Sequence, residues 1–149
     1  GVTKDLAWRK HQLCQLIKLI TENTDAIVEA VHADLGGPHL RGVFEMDAVD
    51  QAHFALKHLD TWAKDETVPY GSPWGRNVVR REPKGVVLLI SPWNFPIALA
   101  LNPLVAILAA GNCCVVKPSE MTTASCALLE RLLPLYFASD AVRVVTGGA

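Results

Sequence analysis

One side-chain amide, that of Asn94, stands in a short loop directly after an apolar run from Val86 to Ile90. Pro92 and Pro96 restrict the backbone on both sides of this amide, so the loop presents it in a fixed way. A rigidly held amide can donate to an oxyanion as it forms, and such donors typically supply about 2.7–4 kcal/mol to a reaction. An isolated asparagine more often completes a turn, but its position after an apolar strand pattern favours the chemical role.

A lysine and a glutamate, Lys117 and Glu120, follow a second apolar run from Cys113 to Val116. The lysine supplies donors, and the carboxylate can accept from sugar hydroxyls, as the acidic residue of dinucleotide-binding folds does from a ribose diol. Taken alone, the two side chains would form a surface ion pair worth about 0–1 kcal/mol. Because ligands of open α/β sheets sit at the carboxyl ends of strands, we expect this pair and Asn94 to share one sheet edge.

The elements that must position these residues differ between the two halves of the chain. In the first half, apolar residues at helical spacing predict helices at about 6–20, 24–35 and 44–63. In the second half, we expect strands at 86–90, 113–116 and 142–146, with helices between them at about 97–110 and 123–133. Such alternation predicts a parallel sheet with right-handed crossovers. The fold class is therefore α/β, an N-terminal helical layer followed by the first part of a Rossmann-like sheet (β-α-β-α-β), truncated.

Local signals set the expected ends and the buried faces of these elements. Thr122 or Thr123 can cap the helix that begins there, and the Gly-Gly-Pro run at 36–38 ends the second helix. Trp62 falls on the apolar stripe of the third helix, and the run at 86–90 is apolar throughout. We therefore expect both Trp62 and this strand to be buried.

We divide the chain into three parts, an N-terminal helical segment at 1–75, an exposed edge strand and turn at 76–85, and a partial dinucleotide-binding domain at 86–149. The stretch at 68–75 holds two prolines and two glycines, which predicts an irregular connector. The weak alternation at 77–81 favours the edge strand.

Composition argues against several classes of protein. The formal net charge of −1 gives no electrostatic case for nucleic acid, and the charged first residues do not fit a secretory signal. The most apolar window, 97–110, is shorter than the about 20 residues of a membrane span. Four cysteines without CxxC spacing favour reduced, buried thiols, and the five histidines lack metal-ligand spacing, so we expect no metal site. These features together favour a cytoplasmic protein.

Four short stretches, spread over the second half of the chain, resemble the aldehyde dehydrogenase superfamily. They are Pro-Lys-Gly-Val-Val at 83–87, Ser-Pro-Trp-Asn-Phe-Pro at 91–96, Lys-Pro-Ser-Glu at 117–120 and Gly-Gly at 147–148. The resemblance spans essentially all 149 residues and is closest to the class 3, fatty-aldehyde-type branch. There is no GxGxxG after the first strand, which is expected for this family.

The resemblance implies a role for each polar residue already singled out. Asn94 would stabilise the oxyanion of the thiohemiacetal that forms when the family's catalytic cysteine attacks an aldehyde. The cofactor-binding residues would be Ser91, Pro92 and Trp93 beside the pyrophosphate and nicotinamide ribose, and Lys117, Ser119 and Glu120 at the adenosine ribose. A charged glutamate at that ribose favours NAD, with NADP possible, because it repels a 2′-phosphate.

By the same resemblance, the chain would be the N-terminal part of an NAD(P)-dependent aldehyde dehydrogenase that oxidises aldehydes to carboxylic acids and is a homodimer when full-length. The family's nucleophilic cysteine and general-base glutamate lie beyond position 149, so we expect the chain alone to be inactive. Two alternatives stay open, an acyl-phosphate-type reductase on the same fold and a non-enzymatic truncated paralogue that acts as an interaction module. These residues contain no visible membrane anchor.

Overall fold

The computed structural model describes residues 1–69, 75 and 77–148, and most of the predicted connector at 68–75 lies outside these residues. A 3₁₀ turn at Val2–Lys4 precedes four helices, α1 (Leu6–Glu22), α2 (Thr24–Leu35), α3 (Leu40–Phe44) and α4 (Ala48–Trp62). Two short antiparallel strands follow, β1 (Glu66–Thr67) and β2 (Val78–Val79). The remaining elements are β3 (Val86–Ile90), α5 (Ala98–Ala109), β4 (Cys113–Lys117), α6 (Thr123–Tyr136) and β5 (Val142–Val144).

The three later strands form a parallel sheet in the order β3-β4-β5, which confirms the predicted β-α-β-α-β pattern. Right-handed crossovers between successive neighbours place their helices on the same face of a sheet. Accordingly, α5 packs on β3 and β4 and also on α1 and α4, while α6 packs on β5 and also on α1 and α2. The helical layer therefore covers the crossover helices, and these cover one face of the sheet.

The hydrophobic core lies between the helical layer and the crossover helices. Its largest fully buried side chains are Leu13, Leu16, Leu19, Ile20, Ile27, Leu59, Ile97, Leu101, Leu104, Leu108, Leu129 and Leu133. Because each such side chain stabilises the fold by about 1.5–3 kcal/mol, this layer fixes the position of both crossover helices. No helix in the described residues combines the length and apolar character needed to cross a bilayer.

The outer face of the sheet differs from the prediction of a buried strand at 86–90. Val86, Leu88 and Ile90 are 72%, 60% and 64% exposed, whereas Leu89 packs on the core. The alternation arises because successive side chains of a strand point to opposite faces. Only the inner face of β3 is therefore covered by the part of the chain that the structure describes.

The helix predicted at about 44–63 is α4, which begins four residues later at Ala48, and the short α3, which ends at Phe44, was not predicted. The short α3 packs closely on α2 through Gly42, where an added Cβ would lie 2.6 Å from the Cα of Val28. This contact holds α3 against α2, and the turn between α3 and α4 brings Glu45 into the interior, where it is fully buried.

Two single-residue expectations are wrong. Trp62 is 43% exposed. It lies in the last turn of α4, outside the core, and its ring stacks on that of His58. Cys14 is exposed on α1, whereas the other three thiols are partly or fully buried. The predicted burial of thiols therefore fails at Cys14 alone.

Candidate functional site

The carboxyl ends of the three parallel strands meet at one edge of the sheet. Ile90 lies opposite Lys117 in the strand register, and the amide of Ser91 donates to the carbonyl oxygen of Lys117 at 3.1 Å. On the other side of β4, the amide of Val145 donates to the carbonyl oxygen of Val116 at 2.9 Å. The loops that follow the three strands therefore lie side by side, and we call this group the strand-end site.

Asn94 lies in the loop between β3 and α5, and its side chain is exposed. Pro96 behind it is buried, whereas Pro92 is exposed and Trp93 is 50% exposed. Arg41 of α3 donates through Nη2 to the carbonyl oxygen of Asn94 at 3.3 Å. The protein thus holds the backbone of this loop, and the amide of Asn94 remains accessible to a ligand.

Lys117 and Glu120 form an ion pair at the end of β4. The ammonium donates to Oε2 of Glu120 at 2.9 Å, with side-chain exposures of 25% for Lys117 and 50% for Glu120. The hydrogen bond from Lys117 lowers the pKa of Glu120 below its usual value. The glutamate therefore stays charged to more acidic pH than a free carboxyl, and its other oxygen, Oε1, can accept from a sugar hydroxyl.

The two serines singled out from the sequence are buried and turned towards the protein. Ser91 is 4% exposed and its hydroxyl lies 3.5 Å from the carbonyl oxygen of Lys117. Ser119 is 7% exposed and its hydroxyl accepts from the amide of Met121 at 3.2 Å. In this arrangement the two hydroxyls shape the loops, and contact with a ligand would come chiefly from the neighbouring backbone.

Three features of the strand-end site depend on the tertiary fold. Arg41 comes from the helical layer, 53 positions before the carbonyl oxygen that it contacts. The glycines after β5 also border the site, since a Cβ added at Gly148 would lie 3.7 Å from Cγ of Glu120. Finally, two carboxylates of the helical layer, Asp34 and Glu45, accept from backbone amides at the start of α6 and α5. Only the tertiary fold brings such distant residues together.

A separate cavity of about 720 Å³ lies between the end of α4 and α5. Trp62 and Ala109 line it, and it shares no residue with the strand-end site. Several charged groups at its rim are paired, as in the 2.9 Å contact between Arg81 and Glu66. The accessible polar groups converge at the strand ends instead, so we place the candidate site there.

The family model for the aldehyde dehydrogenase family matches residues 3–149 of the chain. The chain belongs to this family. Among relatives, an aldehyde dehydrogenase of Craterostigma plantagineum is 44% identical over 99% of the chain and 32% of its own length. Aldehyde dehydrogenase family 3 member H1 of Arabidopsis thaliana is 41% identical over 99% of the chain and 31% of its own length. The chain thus spans about a third of these family 3 and related enzymes.

Solved aldehyde dehydrogenase structures share this fold. The substrate-bound state of Staphylococcus aureus AldH superposes with a TM-score of 0.93 at 33% identity, over 98% of this chain and 33% of that one. A glyceraldehyde-3-phosphate dehydrogenase of Methanocaldococcus jannaschii, complexed with NADP, superposes with a TM-score of 0.77 at 25% identity, over 99% and 33% of the two chains. The sequence resemblance to the aldehyde dehydrogenase superfamily and its class 3 branch is confirmed.

Three of the four thiols of this aldehyde dehydrogenase chain do not suit the family's nucleophilic step. Burial raises the pKa of Cys114 to about 11, with the neighbouring Cys113 adding to the effect. Burial also raises the pKa of Cys113 and of Cys126. A thiolate is the reactive form, so these three side chains are poor nucleophiles at neutral pH, and Cys113 and Cys114 lie at the opposite end of β4 from Lys117.

The strand-end site of this aldehyde dehydrogenase chain fits a nicotinamide dinucleotide. Glu120 offers an exposed, charged acceptor for a ribose diol, Lys117 adds a cationic donor, and Gly147 and Gly148 leave the edge beside them without side chains. Within the described residues, no group of three or more His, Cys, Asp or Glu side chains is arranged to hold a metal ion.

Proposed function

We propose that this chain is the N-terminal part of an NAD(P)-dependent aldehyde dehydrogenase that oxidises an aldehyde to a carboxylic acid. The observation that carries the proposal is the convergence of Asn94, Lys117 and Glu120 at one exposed sheet edge in a chain of this family. Relatives at 44% and 41% identity are aldehyde dehydrogenases, and the chain covers 32% and 31% of them.

In this proposal, Asn94 acts on the oxyanion that forms when a thiolate attacks the aldehyde carbon. Its amide is exposed, and its backbone is held by Arg41 and by the buried Pro96. A donor fixed in advance stabilises developing charge without the cost of reorganising solvent. Collapse of the oxyanion releases a hydride and leaves a thioester, which an activated water then hydrolyses.

The nicotinamide cofactor supplies the acceptor for that hydride when it is bound. Lys117 and Glu120 would hold its adenosine ribose, and the backbone around Ser91, Pro92 and Trp93 would lie along its pyrophosphate and nicotinamide ribose, with Ser119 shaping the turn to Glu120. Glu120 favours NAD over NADP, because its lowered pKa keeps the carboxylate charged and a charged carboxylate repels a 2′-phosphate.

The nucleophilic cysteine and the general-base glutamate would come from the part of the family's length that this chain does not span. The raised pKa values of Cys113 and Cys114 argue against a substitute nucleophile in β4. We therefore infer that residues 1–149 alone oxidise no aldehyde. We also propose the division at 1–75, 76–85 and 86–149, a homodimer for the full-length enzyme, and a cytoplasmic location.

A chimaera tests this proposal, with residues 1–149 replacing the matching N-terminal third of the Craterostigma plantagineum enzyme. With hexanal and NAD, the chimaera should produce NADH, while residues 1–149 alone should not. The parent enzyme serves as the positive control. A chimaera with parent-like circular dichroism and thermal unfolding that forms no NADH would refute the proposal, and so would NADH production by the isolated chain.

A second candidate, a non-enzymatic interaction module, is favoured by one observation. The outer face of β3 exposes Val86, Leu88 and Ile90, whereas parallel sheets are normally covered on both faces. If the chain is instead part of an enzyme, a segment of the parent enzyme should cover this face in the chimaera, and the chimaera should oxidise hexanal. A chimaera that fails to fold around these residues would support the interaction module.

A further inference from the structure

Both crossover helices begin directly after a loop of the strand-end site, and neither is capped by its own N-terminal residue. The N-cap residue of α5 is Ile97, and that of α6 is Thr122, whose side chain makes no capping bond. The first four amides of a helix have no partner within it. These amides therefore need acceptors from other parts of the chain. The position of these acceptors fixes the start of each helix and the end of the loop before it.

At α5, the acceptor is Glu45, which lies in the turn between α3 and α4. Its Oε2 accepts from the amide of Ile97 at 2.9 Å and from the amide of Ala98 at 3.3 Å. Asn94 precedes Ile97 by three residues, and its own carbonyl oxygen accepts from Arg41, four residues before Glu45. Arg41 and Glu45 of the helical layer thus contact the first and the last residue of the segment at 94–97, which carries the side-chain amide of Asn94.

At α6, the acceptor is Asp34, near the end of α2. Its Oδ1 accepts from the amide of Ala124 at 2.9 Å and its Oδ2 from the amide of Ser125 at 2.7 Å. The preceding turn is closed by Thr122, whose amide and hydroxyl donate to the carbonyl oxygen of Ser119 at 3.4 Å and 3.3 Å. Asp34 is therefore linked through the first turn of α6 to the segment that carries Glu120.

The burial of Glu45 argues for more than an incidental contact. Its side chain is fully buried, and its Oε1 has no hydrogen-bond partner in the described residues. Desolvation raises the pKa of Glu45, although the two backbone hydrogen bonds and the nearby charge of Arg41 each act to lower it. The two amides at the start of α5 offset part of the cost of burying this carboxyl, so removing it would leave both amides without their acceptor.

We propose that Glu45 and Asp34 are positioning residues with separate tasks, Glu45 for the Asn94 loop and Asp34 for the Lys117–Glu120 turn. The proposal rests on the function proposed above. Neither carboxylate touches the reacting atoms; each fixes the helix start that follows a site loop. Glu45 therefore acts on the chemical step through Asn94, and Asp34 acts on cofactor affinity through Glu120.

Paired variants in the chimaera separate positioning from stability. Glu45→Met keeps the volume of the side chain and removes its acceptor, whereas Glu45→Gln keeps one oxygen that can accept from both amides. Glu45→Met should slow the first NADH turnover by about 10²-fold, as a 1 Å misplacement can, with the Michaelis constant for NAD unchanged. Glu45→Gln should restore most of the rate.

Asp34→Leu should show the opposite pattern. The Michaelis constant for NAD should rise about fivefold, which corresponds to the free energy lost with one helix cap, and the turnover number should stay unchanged. Asp34→Asn keeps one acceptor and should recover part of the affinity. Asp47→Ala is the matched control, since Asp47 is an exposed carboxylate near Glu45 whose side chain accepts from Gln51 on its own helix. This control should leave both constants unchanged.

Amide hydrogen exchange in the 149-residue chain reports on the two helix starts directly and does not require an active enzyme. Glu45→Met should speed exchange at Ile97 and Ala98 only, and Asp34→Leu at Ala124 and Ser125 only. The inference is wrong if Glu45→Met keeps the wild-type rate in an active chimaera, or if both variants lower turnover and raise the Michaelis constant alike, as general destabilisation would. An inactive wild-type chimaera with native circular dichroism refutes the proposed function, and the inference with it.

Discussion

In the proposed function, the polar residues of the strand-end site divide into one that acts on developing charge and a pair that binds a ligand present throughout the reaction. Asn94 presents an accessible amide on a loop that Arg41 holds at 3.3 Å, which suits an oxyanion that exists only after attack. Lys117 and Glu120 form an ion pair at 2.9 Å in which the Glu120 side chain stays half-exposed, which suits hydroxyls that are present throughout the reaction. Substitutions at the two places should therefore change different kinetic constants.

Asn94→Ala in the active chimaera should lower the rate of acylation by about 10²–10³-fold, the usual loss for one oxyanion donor. The Michaelis constant for NAD should change little, because in the proposed role the side-chain amide of Asn94 acts on the aldehyde oxygen and not on the adenosine. Rapid-mixing measurement of the first NADH turnover checks this. If Asn94→Ala weakens NAD binding and leaves acylation intact, the asparagine is a turn residue.

Glu120→Gln should raise the Michaelis constant for NAD and narrow the advantage of NAD over NADP, with modest change in turnover. The reason is that the amide still reaches the ribose but no longer repels a 2′-phosphate. Since Lys117 lowers the pKa of Glu120, the wild-type preference for NAD should hold at neutral pH and fade only below the range in which ordinary carboxyls titrate. Steady-state kinetics with both cofactors across pH decide this, and an unchanged cofactor ratio in Glu120→Gln would contradict it.

At the scale of elements, the alternating second half of the chain was predictable because its strands and helices follow local periodicity. The short helix α3 was not, since it packs on α2 through the close contact of Gly42 with Val28, 14 positions away in sequence. The cap of α6 shows the same limit. Thr122 or Thr123 was expected to supply the capping oxygen, but Asp34 of a distant helix accepts from the first-turn amides.

The site divides in the same way. Asn94, Lys117 and Glu120 could be found from sequence, because each follows an apolar strand and parallel strands end at one edge. Arg41 and Glu45 could not, because their role depends on how α3 packs against the start of α5. Sequence patterns report short-range structure, whereas helix-to-loop contacts across the fold are set by packing.

Gly42→Ala tests the close packing of α3 on α2. Replacing glycine by alanine in an open helix would stabilise it by about 1 kcal/mol, but here the new Cβ would lie 2.6 Å from the Cα of Val28. Overpacking of this kind typically costs about 1–3 kcal/mol, so we expect net destabilisation. Denaturant unfolding of the chain measures it, and Val43→Ala, at an exposed neighbour in α3, is the control. Stabilisation by Gly42→Ala would mean that the helices separate easily.

At the scale of the whole molecule, the residues that the structure describes cover only one face of the sheet. Both crossover helices lie on the inner face, where α5 and α6 each pack on α1. The outer face presents Val86, Leu88 and Ile90 in a row along β3. Within the described residues, β3 is also the edge strand of this sheet, with a strand partner on one side only. Exposed apolar edges of this kind favour association with other chains.

Leu88→Glu should therefore reduce self-association of the isolated chain, because it places a charge in the middle of the apolar row. Sedimentation velocity over a range of concentrations measures the effect. Leu135→Glu is the matched control, since Leu135 of α6 is 72% exposed, compared with 60% for Leu88, and lies away from the sheet. In the chimaera, Leu88→Glu should instead lower thermal stability and activity, because the family's remaining segments would bury the new charge without a partner. Equal effects of the two substitutions on self-association would show that the outer face of β3 is not the surface through which chains meet.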